Sequence, residues 1–278
     1  PANSTVLKAR QPQSATQAPF TPCPIEEVVA AIKSSKPAVV FAPHVETSAG
    51  MLLPDGYIRA MADAVHEVGG LLVIDCIASG TLWLDMKQLG IDVLISAPQK
   101  GWSASPCCGL VMLSNRALER ARTTTSTSFA CDLGKWLQIM EAYEKGGHAY
   151  HATMPTDGLR VFRNLMRENQ AYGFARLKEQ QLELGSKVRA LLEARGFPSV
   201  AAEGFKAPGV VVSYTSDADL QNGKKFLAQG LQIAAGVPLQ CDEREDYRTF
   251  RIGLFGLDKL QSVERTVAQL AAALDKLQ

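Results

Sequence analysis

Several signatures are missing from this sequence, and each absence removes a class of function. No apolar run approaches the roughly eighteen residues that a membrane span requires, so no bilayer-crossing helix is expected. No Gly-x-Gly-x-x-Gly follows a strand-like stretch, which argues against a dinucleotide-binding turn. No other Gly-rich loop suited to cradling a phosphate is present. The six cysteines are Cys23, Cys76, Cys107, Cys108, Cys131 and Cys241. None form a Cys-x-x-Cys pair, so their spacing suits neither zinc nor a disulfide framework, and no metal is expected. Reduced, mostly buried thiols in a cytoplasmic protein are expected instead. No signal peptide is expected at the start. The net charge is only +1, and lysines and arginines are scattered. Neither nucleic acid nor a membrane surface is therefore an expected partner.

What is present is a globular pattern. The chain has 278 residues, of which 46% are hydrophobic, enough for one large or two ordinary domains. Residues 1–24 are rich in Pro, Ser, Thr, Gln and Ala and read as a connecting segment. Helical periodicity follows over 24–35, then a short buried strand over 38–42. A helix capped by Asp55 is predicted to reach about Val68, followed by strands at 71–75, 93–97 and 110–113 with a helical turn between the first two. Asn115 is expected to cap a helix over 116–122, and another helix is expected over 135–144. A long helical pattern spans 157–195, with a kink expected near Gly173. Beyond it lie a strand at 210–214, a helix over 217–229, an apolar stretch at 231–234, a strand at 249–253 and a helix over 257–277. Strands alternating with helices imply an α/β fold with a mostly parallel sheet, followed by a smaller α+β domain. The divisions expected are a connecting segment 1–24, a large domain 25–165 and a small C-terminal domain 166–278.

The stretch 71–109 holds the chemistry. Leu71-Leu72-Val73-Ile74 ends at Asp75, and Val93-Leu94-Ile95-Ser96-Ala97 leads through Pro98-Gln99 to Lys100. Continuous β-branched apolar runs suit buried parallel strands, and ligands of open α/β sheets sit outside the carboxyl ends. A lysine at that rim can attack a carbonyl and form a Schiff base. Pyridoxal phosphate requires such a lysine, and a carboxylate beside its ring nitrogen to keep the pyridinium charged. Two unrelated strand-end charges are the alternative on spacing alone.

The segments Asp75-Cys76-Ile77-Ala78-Ser79 and Ser96-Ala97-Pro98-Gln99-Lys100-Gly101 resemble those of class V aminotransferases, in particular the alanine–glyoxylate and serine–pyruvate group. His44-Val45-Glu46-Thr47-Ser48-Ala49-Gly50, Leu89-Gly90-Ile91-Asp92, Tyr150-His151-Ala152-Thr153-Met154-Pro155 and Phe250-Arg251-Ile252-Gly253 match in the same order. The resemblance covers residues 25–278. It implies a fold type I pyridoxal-phosphate transferase with a mostly parallel large domain and a small α+β C-terminal domain. It also implies a homodimer with shared sites. The resembled family carries a phosphate-cupping Gly-rich loop and a ring-stacking aromatic earlier in the chain, so an N-terminal part is expected to be lacking here.

The resemblance assigns roles residue by residue. Lys100 would be the Schiff-base lysine and proton carrier, and Asp75 the partner of the pyridine nitrogen. Thr47 would bond near the ring hydroxyl, Ile77 would pack on a ring face, and Gln99 would lie beside the phosphate or hydroxyl. Tyr150 and Thr153 would reach the phosphate of the neighbouring subunit. Arg251 would take the substrate α-carboxylate, since a guanidinium offers a two-pronged fork. His44 is either near the ring or a turn histidine. Trp83 and Trp102 are core or rim, and the charge run 241–246 reads as an exposed loop. The reaction implied moves an amino group from alanine or serine to glyoxylate or pyruvate. A cysteine desulfurase or another lyase of the same fold is the alternative, as is a truncated chain without cofactor.

Overall fold

The structure is a computed structural model that describes residues 3–12 and 17–277. Its first half forms strands β1 (Val39–Pro43), β2 (Val45–Glu46), β3 (Met51–Leu52), β4 (Leu71–Asp75), β5 (Val93–Ser96) and β6 (Leu110–Leu113). Helices α1 (Ile25–Ser35), α2 (Asp55–Glu67), α3 (Met86–Leu89), α4 (Asn115–Thr123) and α5 (Leu133–Glu144) accompany them. The second half comprises α6 (Thr156–Tyr172), α7 (Phe174–Glu193), β7 (Val210–Tyr214), α8 (Ala218–Gln221), α9 (Lys224–Ala228), β8 (Ala234–Ala235), β9 (Thr249–Gly253), α10 (Leu257–Leu260) and α11 (Val263–Leu274).

The first sheet has the order β1-β4-β5-β6. β1, β4 and β5 run parallel, whereas β6 pairs antiparallel with β5. Each parallel crossover goes through helix, as a parallel pair requires. Val28 and Ile32 of α1 and Ile58, Met61 and Val65 of α2 join Leu72, Ile74 and Leu94 in one core cluster. Burying each such aliphatic side chain stabilises the fold by roughly 1.5–3 kcal/mol. The Leu89-Gly90-Ile91-Asp92 motif is structural here. The buried Asp92 carboxylate accepts from Leu72 N at 2.9 Å and Ser114 Oγ at 3.0 Å, and lies 2.7 Å from His66 Nε2. It ties α2, β4 and the start of α4 together.

The second core belongs to the sheet β7-β9-β8 with α7, α10 and α11. A third cluster joins Val45, Ala49 and Ala78 to Val210, Val212 and Tyr214, so it packs the loops after β1 and β4 onto β7. The segment before α1 belongs to this cluster through Phe20, which is 1% exposed.

Several sequence expectations are corrected. β1 lies at one edge of its sheet and leaves Phe41 exposed, so it is not fully buried. The α2 helix starts at Asp55 itself, after Pro54, and no side chain caps it. Ser114, not Asn115, caps α4 by accepting from Ala117 N. The long helical pattern does break at Gly173, φ 105°, as expected, but into two separate helices. The 217–229 helix splits at Gly223, and the last helix is interrupted around 261–262. Only Ala234–Ala235 of the 231–234 stretch and its flank form a strand. All six cysteines are free, but only Cys23 and Cys76 are buried. Among the described residues, no helix is long and apolar enough to cross a membrane.

Candidate active site

Asp75 closes β4 and Lys100 follows β5, and these strands are direct parallel neighbours with Asp75 in register with Ile95. Both residues therefore leave the sheet at the same edge. The Asp75 backbone also pairs with Pro43 of β1, and its carbonyl accepts from His44 N at 2.8 Å. His44, Asp75 and Lys100 thus arise from three successive strands, at the carboxyl ends where such sheets bind ligands.

The Asp75 carboxylate is oriented by its own loop. Oδ1 accepts from Ile77 N at 2.8 Å, while Oδ2 has no hydrogen-bond partner among the described residues. An acceptor at a half-buried strand end suits a charged ring nitrogen. Behind it, His44 is buried, with Nδ1 2.7 Å from Ser79 Oγ. Burial pushes the imidazole down to about 4, so it is neutral at physiological pH. Thr47 is half-buried on the turn between β2 and β3.

The loop bearing Lys100 is fixed at five points. Ala104 N donates to Pro98 O and Ser103 N to Lys100 O, both at 3.0 Å. Gly101 lies against Gly80 with no room for a side chain, because a Cβ there would meet Gly80 O at 2.0 Å. Trp102 joins Trp83, Phe162 and Phe174 in an aromatic cluster with ring centroids 4.9–6.2 Å apart. Ser103 Oγ accepts from Leu257 N at 3.1 Å. The Lys100 amine makes no ion pair among the described residues and stands 5.3 Å above the Phe255 ring centroid. An unpaired amine and a carboxylate with a free oxygen, leaving the sheet at the same end, are groups that the pyridoxal aldehyde and ring nitrogen require.

Other predicted residues lie less closely grouped. Gln99 is exposed beside Lys100. Tyr150 is exposed and its OH lies 3.2 Å from Thr153 Oγ1; among the described residues neither bonds to the Asp75–Lys100 loops. Arg251 lies on β9, the central strand of the second sheet. Its Nε donates to Ala235 O at 2.8 Å, leaving both terminal nitrogens without a partner among the described residues. A cavity of 740 Å³ opens beside Lys8, Pro238, Asp242 and Thr249, and none of the assigned site residues lines it.

One feature escaped sequence reasoning. Phe255 was hidden in an ordinary apolar stretch and carries no motif. The charge run 241–246 is the largely exposed loop expected, and Glu243 orders it by accepting from Leu239 N, Gln240 N and Cys241 N at 2.6–2.9 Å.

Comparison with known proteins identifies relatives of this chain. The 2-aminoethylphosphonate–pyruvate transaminase of Burkholderia ambifaria (strain MC40-6) is 30% identical over 240 residues, covering 84% of this chain and 61% of the relative. The alanine–glyoxylate aminotransferase of Felis catus is 27% identical over 262 residues, covering 91% and 61%. The crystal structure of an alanine–glyoxylate aminotransferase from Nostoc sp. superposes with a TM-score of 0.77 at 23% identity, covering 91% of this chain and 64% of that one. The fold is therefore the α/β architecture of fold type I aminotransferases. The chain spans less than two thirds of the length of these relatives. Residues 16–256 match the family described as Aminotransferase class-V, and the chain belongs to that family.

Proposed function

We propose that this protein is a pyridoxal-phosphate-dependent aminotransferase that moves an amino group from a small amino acid, alanine or serine, to a small 2-oxo acid, glyoxylate or pyruvate. The placement of Asp75 and Lys100 at the carboxyl ends of adjacent parallel strands is the single observation behind it. When bound, pyridoxal phosphate supplies an aldehyde for the amine and an electron sink for the carbanion.

The residues of the chain would do the rest. Lys100 would hold the cofactor aldehyde and carry the proton at the amino acid Cα. Asp75 would hold the ring nitrogen through its free carboxylate oxygen, with Ile77 against a ring face and Thr47 at the ring hydroxyl. Gln99 would approach the phosphate or hydroxyl. Tyr150 and Thr153 would reach the phosphate of a second copy, which fits their exposure and makes a homodimer with shared sites the proposed assembly. Arg251 would clamp the α-carboxylate with its two unpartnered nitrogens. Residues 25–165 form the proposed large domain and 166–278 the small one. The cytoplasm is the proposed location.

A desulfurase would need a mobile, reactive thiolate. Cys241 is instead held in the Glu243 turn, its thiol donates to Leu239 O at 3.6 Å, and burial pushes it up from the ordinary cysteine value. The test is a visible spectrum of the protein with pyridoxal phosphate before and after alanine. An aminotransferase loses its yellow band on alanine and regains it on glyoxylate. No change with either substrate contradicts the proposal, and sulfide release from cysteine would replace it with the lyase.

A further inference from the structure

Phe255 lies outside every motif, yet its position is built with care. It follows Leu254, directly after the strand that carries Arg251. Three glycines lie against its ring. A Cβ added to Gly209 would stand 3.1 Å from ring atom Cε1, one on Gly80 3.7 Å from the same atom, and one on Gly253 3.6 Å from Cδ2. Gly80 also belongs to the loop that Gly101 packs against. The room for an aromatic ring thus comes from both halves of the molecule. Gln181, fully buried, fastens the same junction by donating to Pro208 O at 3.2 Å and Leu254 O at 3.3 Å. Two residues further on, Leu257 N donates to Ser103 Oγ, so the segment is bound to the Lys100 loop on its other side too.

Over this ring stands the Lys100 amine, 5.3 Å from the centroid. An ammonium within about 6 Å of an aromatic face is attracted by the ring quadrupole. A lysine has four rotatable bonds and, unrestrained, spreads over many rotamers. We propose that Phe255 is a positioning residue for Lys100. It gives the ammonium a defined resting place beside the crevice whenever the amine is not engaged elsewhere. This rests on the role of Lys100 in the proposed function, and it adds a residue from the smaller sheet's exit segment to the control of that lysine. A transaminating lysine must leave the cofactor when substrate arrives and then return to carry a proton. A fixed resting place keeps it within reach. Because Arg251 and Phe255 share one segment, movement of β9 on carboxylate binding would shift the ring as well.

The test reads Lys100 without cofactor, so its outcome stands apart from whether the cofactor binds. The protein is treated briefly with an amine-reactive reagent, and modification of Lys100 is measured by peptide mass spectrometry against the exposed Lys135 as internal standard. Phe255→Leu and Phe255→Met retain apolar bulk but lose the ring face, and Phe255→Tyr keeps it. Thermal melting of each variant checks that it is folded. The expected result is that Lys100 modification rises about fivefold relative to Lys135 in the Leu and Met variants, and stays at the wild-type value in the Tyr variant. Unchanged modification in the folded Leu or Met variant overturns the proposal, and so does a Tyr variant that behaves like Leu.

Discussion

Gly101 is pressed against Gly80: the backbone after Lys100 crosses the backbone after Asp75 so closely that a Cβ on Gly101 would stand 2.0 Å from the Gly80 carbonyl oxygen. The two loops carrying the proposed catalytic pair are therefore in direct contact, with no side chain between them. Gly101→Ala must push them apart. It is expected to cost about 1–3 kcal/mol of stability as an overpacking change and to slow covalent capture of pyridoxal phosphate at least about tenfold. Urea unfolding and the rise of the visible band measure the two effects. Capture at the wild-type rate would show that the contact does not set the position of Lys100.

Arg251 offers two terminal nitrogens with no other partner, while Nε is spent on Ala235 O. Arg251→Lys keeps the charge and loses the fork. Loss of one charge-assisted hydrogen bond costs about 2 kcal/mol, about thirtyfold. KM for alanine and glyoxylate should rise by that factor, with the affinity for pyridoxal phosphate unchanged. Steady-state kinetics and a cofactor titration read these separately. An equal loss in both would assign Arg251 to the fold instead.

His44 links the site to acid stability. Burial holds its imidazole at about 4, below the ordinary 6.5. The unfolded chain therefore binds the proton more readily, and stability contributed by the neutral ring is fully present above about pH 6.5. It is lost as pH falls from there towards 4, by about 3 kcal/mol in total. Urea unfolding at pH 7.5 and pH 4.5 should show a smaller pH dependence in His44→Gln than in wild type. Equal slopes would mean that the ring is not held neutral.

Asp92 bears on how much was legible in the sequence. Its motif was recognisable, but the motif resembled part of an active-site family and gave no hint that the carboxylate serves as a three-way tie between Leu72 N, Ser114 Oγ and His66. Asp92→Ala should destabilise the protein by about 3 kcal/mol, because it strands buried donors. Denaturant unfolding checks this, and a loss below 1 kcal/mol would discount the network.

The strands β4, β7 and β9 were readable to the residue, because the apolar runs of β4 and β9 end at Asp75 and Gly253 and that of β7 begins directly after Gly209. Helix starts were less so. At Asp55 and Asn115 a favourable capping residue sits one place inside the helix, and the neighbour Pro54 or Ser114 takes the boundary instead. The reversed direction of β6 was hidden, since its apolar pattern matches a parallel strand equally well. In the site, Asp75 and Lys100 were legible because strand ends next to each other in the sheet also follow each other in sequence. Phe255 was not, because its contact with Lys100 bridges 155 positions and depends on glycines in three separate segments.

The central claim is that Lys100 captures the cofactor aldehyde. Its most direct measurement is borohydride reduction of the protein with pyridoxal phosphate, followed by digestion and peptide mass spectrometry. The account predicts that the phosphopyridoxyl group is found on the peptide containing Lys100, and that Lys100→Ala abolishes it. A label on other lysines with Lys100 unmodified would contradict it.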